Sequence, residues 1–415
     1  MNKMFRNILL LASGTAAGQL ILFAVAPILT RLYQPEDFGT LAIFTSLLSI
    51  FITVAAFRYD FAMLVSKNHK ELMNLLVLSF LLLSSITLII SITLYFTKDY
   101  VIEVFSMNIK SAFLYLLPLS LFGLAGYGIL NKLAIKKQNY KVIAKTKFTQ
   151  SLAVGIAQTL LGAFFIKPGL IIGDVIGRFS GMLKISSIIT IDDKKEMKKV
   201  SWKSLKEVMI RYKSYPLYST TSNLLNNVTL QMPPLILALF FGDLIVGFYA
   251  LLSRVVGIPM RFIGASVSEV YLGEITKRSK RETGSIKEIF HKLILRLFLL
   301  AIVPFIIVVL FAPQIFSIIF GSQWVEAGEY LRILSVLYLV QFVMFPLSQT
   351  LEALEKQKIQ LFWQVTRFIL VFISLILPPI FNLSIELTLV CYSTAVVISY
   401  IIIYVLMLNQ IGKEV

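Results

Sequence analysis

The chain has 415 residues, 57% hydrophobic and only 15% charged, with a net charge of +17 from 39 Lys and Arg against 22 Asp and Glu. Soluble domains carry about 25% charged residues, so this composition excludes a soluble enzyme, a secreted disulfide scaffold and a disordered regulator. Lipid is the solvent that suits it.

At about 20 residues per crossing, the length holds about twelve helices and leaves no room for a large soluble domain. Charge-free or nearly charge-free runs mark them in chain order. The first six cover residues 7–30, 38–57, 72–97, 111–131, 148–166 and 168–183. The first run is too long for a signal peptide and has no small-residue cleavage site, so it reads as a retained span. A lysine-rich connector at 191–213 follows, whose Asp192 and Asp193 read as a solvated face. The second six cover residues 214–242, 244–272, 297–325, 333–351, 368–385 and 387–412. Pro313 predicts an early end for the ninth helix. Cys391 is a small hydrophobe within an apolar run. His69 and His291 lie in basic connectors and carry no metal or catalytic assignment.

The connectors alternate in charge. One set holds 28 Lys and Arg and the other holds four, namely Arg31, Lys98, Lys110 and Lys167. That asymmetry is the positive-inside pattern. It predicts cytoplasmic N- and C-termini and explains the basic net charge without nucleic acid.

The two sets of six spans also resemble each other. Phe105, Ala112, Leu116 and Leu119 recur as Phe320, Ala327, Leu331 and Leu334, each pair 215 residues apart. Ala134–Gln138 resembles Ala353–Gln357, and Pro27 with Phe38-Gly39 resembles Pro234 with Gly247-Phe248. An even number of spans per copy makes the repeat parallel. The expected architecture is all-α and integral to the membrane, with a six-helix lobe at 1–190, a basic linker at 191–213 and a second six-helix lobe at 214–415. A duplicated bundle of this kind most often houses a transporter.

Ionisable groups inside spans are costly and face protein or water. Arg58 and Asp60 stand near the end of the second span, two residues apart and so on different helix faces. Two readings stand for Arg58: a side chain that snorkels to the headgroups, or a ligand contact. Asp174 and Arg178 can bridge at i,i+4 beside Gly169, Gly173, Gly177 and Gly181, which favours close helix packing. Arg254 and Arg261 share a face of the eighth span with no acid within a turn, a cationic stripe suited to phosphate oxygens. Glu269 lies near the end of the same span. Arg296, Arg332 and Arg367 sit nearer span ends, where snorkelling is the default. The seventh span aligns Ser219, Asn223, Asn226 and Asn227 on one face; Gln19 is the milder counterpart in the first. Such groups either bond between helices or line a wet cleft. No phosphate-binding loop, HExxH or Cys/His cluster occurs, and no cofactor or metal is expected.

The opening hairpin ILTRLYQPEDFGTLAIFTSLLSIFITVAAFRYDFAMLV carries an R-x3-P-x-D-F/Y-G turn and a late R-Y-D/E. It resembles the polysaccharide biosynthesis transporters, the Wzx-type O-antigen and repeat-unit flippases. IFSIIFGSQWVEAGEYLRILS resembles their ninth-to-tenth connector. The resemblance spans essentially the whole chain. It implies the multidrug/oligosaccharidyl-lipid/polysaccharide exporter fold, two six-helix lobes forming a V. It further implies transport of an undecaprenyl-diphosphate-linked oligosaccharide across the bacterial cytoplasmic (inner) membrane, with a polysaccharide polymerase and chain-length machinery as partners. On this reading Arg58, Arg254 and Arg261 meet the diphosphate, and Asn223, Asn227 and Gln19 meet sugar hydroxyls. Asp60, Asp174, Arg178 and Glu269 are assigned to structure or to ion coupling. A cation-coupled drug or small-solute antiporter of the same fold is the alternative. A membrane-embedded glycosyl- or acyltransferase would need acids or histidines clustered at one membrane face.

Overall fold

The computed structural model of the protein describes residues 3–105, 111–166, 168–278, 284–354 and 356–413. The side chains of Arg261 and Glu269 lie outside the described residues. Among the described residues the secondary structure is helical throughout, without strands. The chain packs into two compact units, Met1–Gln231 with Gly242–Leu244, and Met232–Phe241 with Ile245–Val415.

The first unit holds α1 (Lys3–Leu32), α2 (Pro35–Val54), a one-turn α3 (Tyr59–Ala62), α4 (His69–Val104), α5 (Leu116–Lys136), α6 (Tyr140–Ala163), α7 (Gly169–Ile185), α8 (Ile191–Met197) and α9 (Trp202–Arg211). The long α10 (Thr221–Arg278) begins in the first unit and ends in the second. There it is followed by α11 (Gly284–Phe320), α12 (Val325–Leu347), a short α13 (Thr350–Ala353), α14 (Gln357–Ile380) and α15 (Ile385–Lys413). Nine helical stretches among the described residues are long and apolar enough to cross a bilayer. Seven of them are α1, α2, α4, α11, α12, α14 and α15; the other two lie over α5 and over the first part of α10. The two expected spans at 214–242 and 244–272 are joined in α10, which breaks its helical dihedrals only at Gly242, φ 80° and ψ 178°.

Local chemistry sets the helix starts. Pro35 pre-sets the backbone at the first turn of α2, and Asp37 accepts from the Gln34 N–H at 3.0 Å, a carboxylate where orphan N–H groups and the helix dipole favour one. Asn68 caps α4 by accepting from the Glu71 N–H at 2.8 Å. Gly39, in the same motif as Pro35, is required by a close approach: a Cβ there would lie 1.7 Å from the Asp243 carbonyl oxygen. Thr40 donates to the Asp243 carboxylate at 3.4 Å. Along α7 the glycine stripe is a packing seam. Added Cβ atoms at Gly173 and Gly177 would come within 2.5 Å of Gln158 and 2.0 Å of Val154 on α6. Arg178 donates to Asp174 along the same helix.

Four expectations are corrected. The connector at 191–213 is a docked element, because Leu205 and Val208 of α9 join the core of the first unit. Asp192 stays solvated, but Asp193 is only 1% exposed: its carboxylate accepts from Lys137 and from the Thr190 N–H, and His69 Nε2 lies 3.5 Å away. Nor does α11 end near Pro313; it continues to Phe320. A proline frees the carbonyl four residues earlier, here Val309, and Arg332 Nε donates to that oxygen at 3.0 Å. Arg332 therefore heals a proline break and pairs with Glu329 at 2.9 Å instead of snorkelling. Finally, α14 starts eleven residues before the expected run, which puts Arg367 in mid-helix, 5.6 Å over the Trp363 ring with its Nε buried and unbonded.

Candidate functional site

Between the end of α2 at Val54 and the start of α3, Phe57 and Arg58 have φ values of 44° and 58°. Left-handed backbone at two successive non-glycine residues is uncommon and strained. It separates α2 from α3 and turns the Arg58 side chain back over its own segment. The guanidinium carbon sits 3.8 Å above the centre of the Phe61 ring. From α5, Lys132 places its ammonium 4.1 Å from the same ring. One aromatic ring is thus shared by two cations. Tyr59 is pinned in the opposite direction, donating to the Met209 carbonyl at 3.1 Å, which ties the break to α9.

Arg58, Phe61 and Lys132 line a cavity of about 230 Å³ together with Thr53, Asp60, Gly128 and Asn227. Asn227, from the start of α10, donates to Thr53 Oγ1 at 2.6 Å and lies 3.4 Å from the Ser49 carbonyl. Gly128 leaves room: a Cβ there would meet nothing within 4 Å. Asp60 is the acid of the cavity and feels the charges of both Lys132 and Arg58. Among the described residues, neither Arg58 nor Lys132 enters an ion pair, and Arg58 Nε is buried without a hydrogen-bond partner. Lys147 of α6 stands over the Tyr127 ring at 5.2 Å and is repelled by Lys132. Burying a cation costs free energy, and a desolvated ring offsets about 2 kcal/mol of it. One shared ring and one acid leave the cluster with positive charge to spare, which an anion would neutralise.

The structure therefore brings Arg58, Asp60 and Asn227 to one cavity. Asn223 turns onto its own helix, donating to the Ser219 carbonyl at 2.8 Å. Asp174 and Arg178 satisfy each other on α7. Gln19 is half-buried on α1, outside the cavity lining. In the second unit Arg254 is half-buried and already has an interaction of its own, so it is not the bare guanidinium that its stripe suggested. Sequence reasoning missed Lys132 and Phe61. The signal for Lys132 was present: it is the first charge after a clean apolar run and lies one turn before Lys136, hence inside α5 rather than in the connector.

Residues 28–329 match the family described as polysaccharide biosynthesis protein. The chain belongs to that family. A curated relative, the probable low-salt glycan biosynthesis flippase Agl15 of Haloferax volcanii, is 28% identical over 187 residues; the match covers 45% of this chain and 37% of that protein. Among solved structures, the lipid II flippase MurJ in an inward closed conformation superposes with a TM-score of 0.75 at 16% identity, covering 98% of this chain and 90% of MurJ. A multidrug resistance MATE family transporter of the MOP superfamily, inward-facing, gives 0.69 at 14% identity, over 97% and 94% of the two chains. At such identities the likeness concerns the fold. This member of the polysaccharide biosynthesis family is a multi-pass membrane protein with the fold shared by MATE transporters and MurJ.

Proposed function

We propose that the protein is a flippase for a diphosphate-linked oligosaccharide in surface polysaccharide assembly, with an undecaprenyl carrier in a bacterial cytoplasmic membrane. On this reading it has about twelve spans in two parallel repeats, both termini in the cytoplasm, and works by alternating access. The observation that carries the reading is the excess positive charge of Arg58 and Lys132 on Phe61, beside a cavity with hydrogen-bonding groups. A diphosphate supplies the missing negative charge, and guanidinium and ammonium groups are its natural partners. Asn227 and Thr53 offer amide and hydroxyl groups to sugar hydroxyls. The relative named as a glycan flippase supports the substrate class. A polysaccharide polymerase and chain-length machinery are the downstream partners in this proposal.

The test is complementation of a deletion strain with Arg58→Ala, Lys132→Ala and the double variant, each matched for membrane abundance. The expected result is loss of surface glycan and accumulation of lipid-linked repeat units facing the cytoplasm, strongest in the double variant. Wild-type surface glycan from the double variant would sink the assignment. Asp60 at the same cavity favours one other reading on this fold, a cation-coupled drug or small-solute antiporter. Under that reading Asp60→Asn raises drug sensitivity and leaves the glycan intact.

A further inference from the structure

Two openings follow one another along the seam between α10 and α11 in the second unit. One is an apolar cavity of about 370 Å³ walled by Val256, Met260 and Ile263 of α10 and by Leu300, Pro304 and Val308 of α11. The adjoining opening is lined by Val267, Val270 and Glu274 of α10 and by Lys292 and Arg296 of α11. The steps 256, 260, 263, 267, 270, 274 on one helix and 292, 296, 300, 304, 308 on the other are all three or four residues. The α10 series, with its alternating steps, stays on a single helix face, so the openings are consecutive stretches of one groove along α10, while the four-residue steps of the α11 series wind gradually around that helix.

The groove is cationic at one end and apolar at the other. Lys292 and Arg296 are exposed and one helical turn apart. Among the described residues neither is in an ion pair, and Glu274 pairs with neither. The apolar end has no polar group to spare. Its Ser335 hydroxyl donates to the Arg332 carbonyl at 2.6 Å, and its Tyr338 hydroxyl is bonded to Ser253 at 3.3 Å. Such a wall offers nothing to sugars or to a polar drug. Two free cations one turn from hydrocarbon complement an anion that carries a long apolar chain.

We propose that this seam binds an anionic glycerophospholipid of the surrounding bilayer, its phosphate between Lys292 and Arg296 and one acyl chain along the apolar cavity. The site is separate from the cavity beside Arg58 and does not depend on what that cavity carries.

The experiment is native mass spectrometry of the purified full-length protein in detergent, titrated with phosphatidylglycerol, phosphatidylethanolamine or a polyprenyl diphosphate. At about 1 kcal/mol per basic residue near a phosphate, two cations favour the anionic lipid by about 30-fold. The expected result is one retained phosphatidylglycerol with that preference. It is abolished in the Lys292→Gln/Arg296→Gln protein, whose changes are at exposed positions and leave the melting temperature unchanged. Ala301→Trp, which fills the apolar end, weakens both lipids while keeping the cations. Equal retention of the two phospholipids by the wild type would overturn the proposal, as would a preference that survives the double substitution. Displacement of phosphatidylglycerol by equimolar polyprenyl diphosphate would give the site to a lipid-linked diphosphate and also overturn it.

Discussion

The two units enclose cavities of opposite chemistry. Beside Arg58 the wall carries two cations, an acid and an amide; in the cavity of about 370 Å³ in the second unit it is hydrocarbon whose few polar groups are already bonded. The means of packing differ in parallel. The first unit brings helices together through glycines and fixes its connector with buried ionic contacts. The second also closes on a glycine, Gly328 of α12, where a Cβ would lie 2.5 Å from Pro313 Cα of α11, and adds aromatic pairs, among them Phe248 edge-on to Trp324 at 6.0 Å and Phe290 stacked on Tyr404 at 5.9 Å. Yet both units contain the same order of long helix, 3-10 turn and helix, at α4 to α5 and at α11 to α12. A shared helical frame leaves wall chemistry free to diverge, because the backbone hydrogen bonds are satisfied inside each helix whatever the side chains.

The contrast in packing is broken most severely at Trp324, which is wholly buried. Trp324→Ala is expected to cost about 3–5 kcal/mol, read as a large fall in melting temperature in detergent. A shift no greater than that of an exposed substitution would remove aromatic packing as a basis of the second unit.

Next in size is the ionic anchor of the first unit. Burial pushes the Asp193 carboxyl up, but hydrogen bonds from Lys137 and Thr190 outweigh that and hold it below the ordinary carboxylate range. A carboxyl whose folded pKa lies below its unfolded value of about 3.9 contributes stability that is fully present above that value. The contribution is lost as pH falls through the folded pKa. Asp193→Asn should therefore destabilise by about 1.5–3 kcal/mol at neutral pH, with a difference from wild type that is flat down to about pH 5 and shrinks below about pH 4. Melting curves across that range decide it, and a difference that grows on acidification would refute the sign.

The finest distinction is between two glycines of the first unit. Gly177→Ala puts a methyl within 2.0 Å of Val154 and should cost about 1–3 kcal/mol. Gly128→Ala enters open space and should gain up to about 1 kcal/mol from helix propensity. A bulkier Gly128→Leu is expected to fill the cavity beside Arg58 and lower glycan export without lowering the melting temperature. Equal stability changes for the two alanine variants would erase the distinction between seam and cavity.

Much of the fold was legible in the residues. Charge-free runs have the length a bilayer imposes, and the Gln34–Asp37 turn, the α7 glycine stripe and the Asp174–Arg178 pair act through neighbours near in sequence. Boundaries failed where a distant group intervened. Pro313 is a helix breaker locally, yet α11 continues through it, and Arg332 of α12 donates to the Val309 carbonyl that the proline frees. Asp193 looks solvated in its lysine-rich surroundings until Lys137 and His69 close on it. Of the site, Arg58, Asp60 and Asn227 were legible as polar residues in apolar runs. Lys132 left only the faint signal of a lysine at a run's edge, one turn before Lys136, and Phe61 left none, since a phenylalanine in an apolar run is ordinary.

Composition and periodicity by themselves determined that this is a membrane-embedded helical chain with family motifs, because hydrophobic length and helix caps are local properties that each segment satisfies alone. Which cations remain unpaired, and which cavity is wet or oily, was decided only in the folded chain. Those properties depend on the partners that a side chain meets across helices far apart in sequence, and burial sets the energy of each charge after those partners are in place.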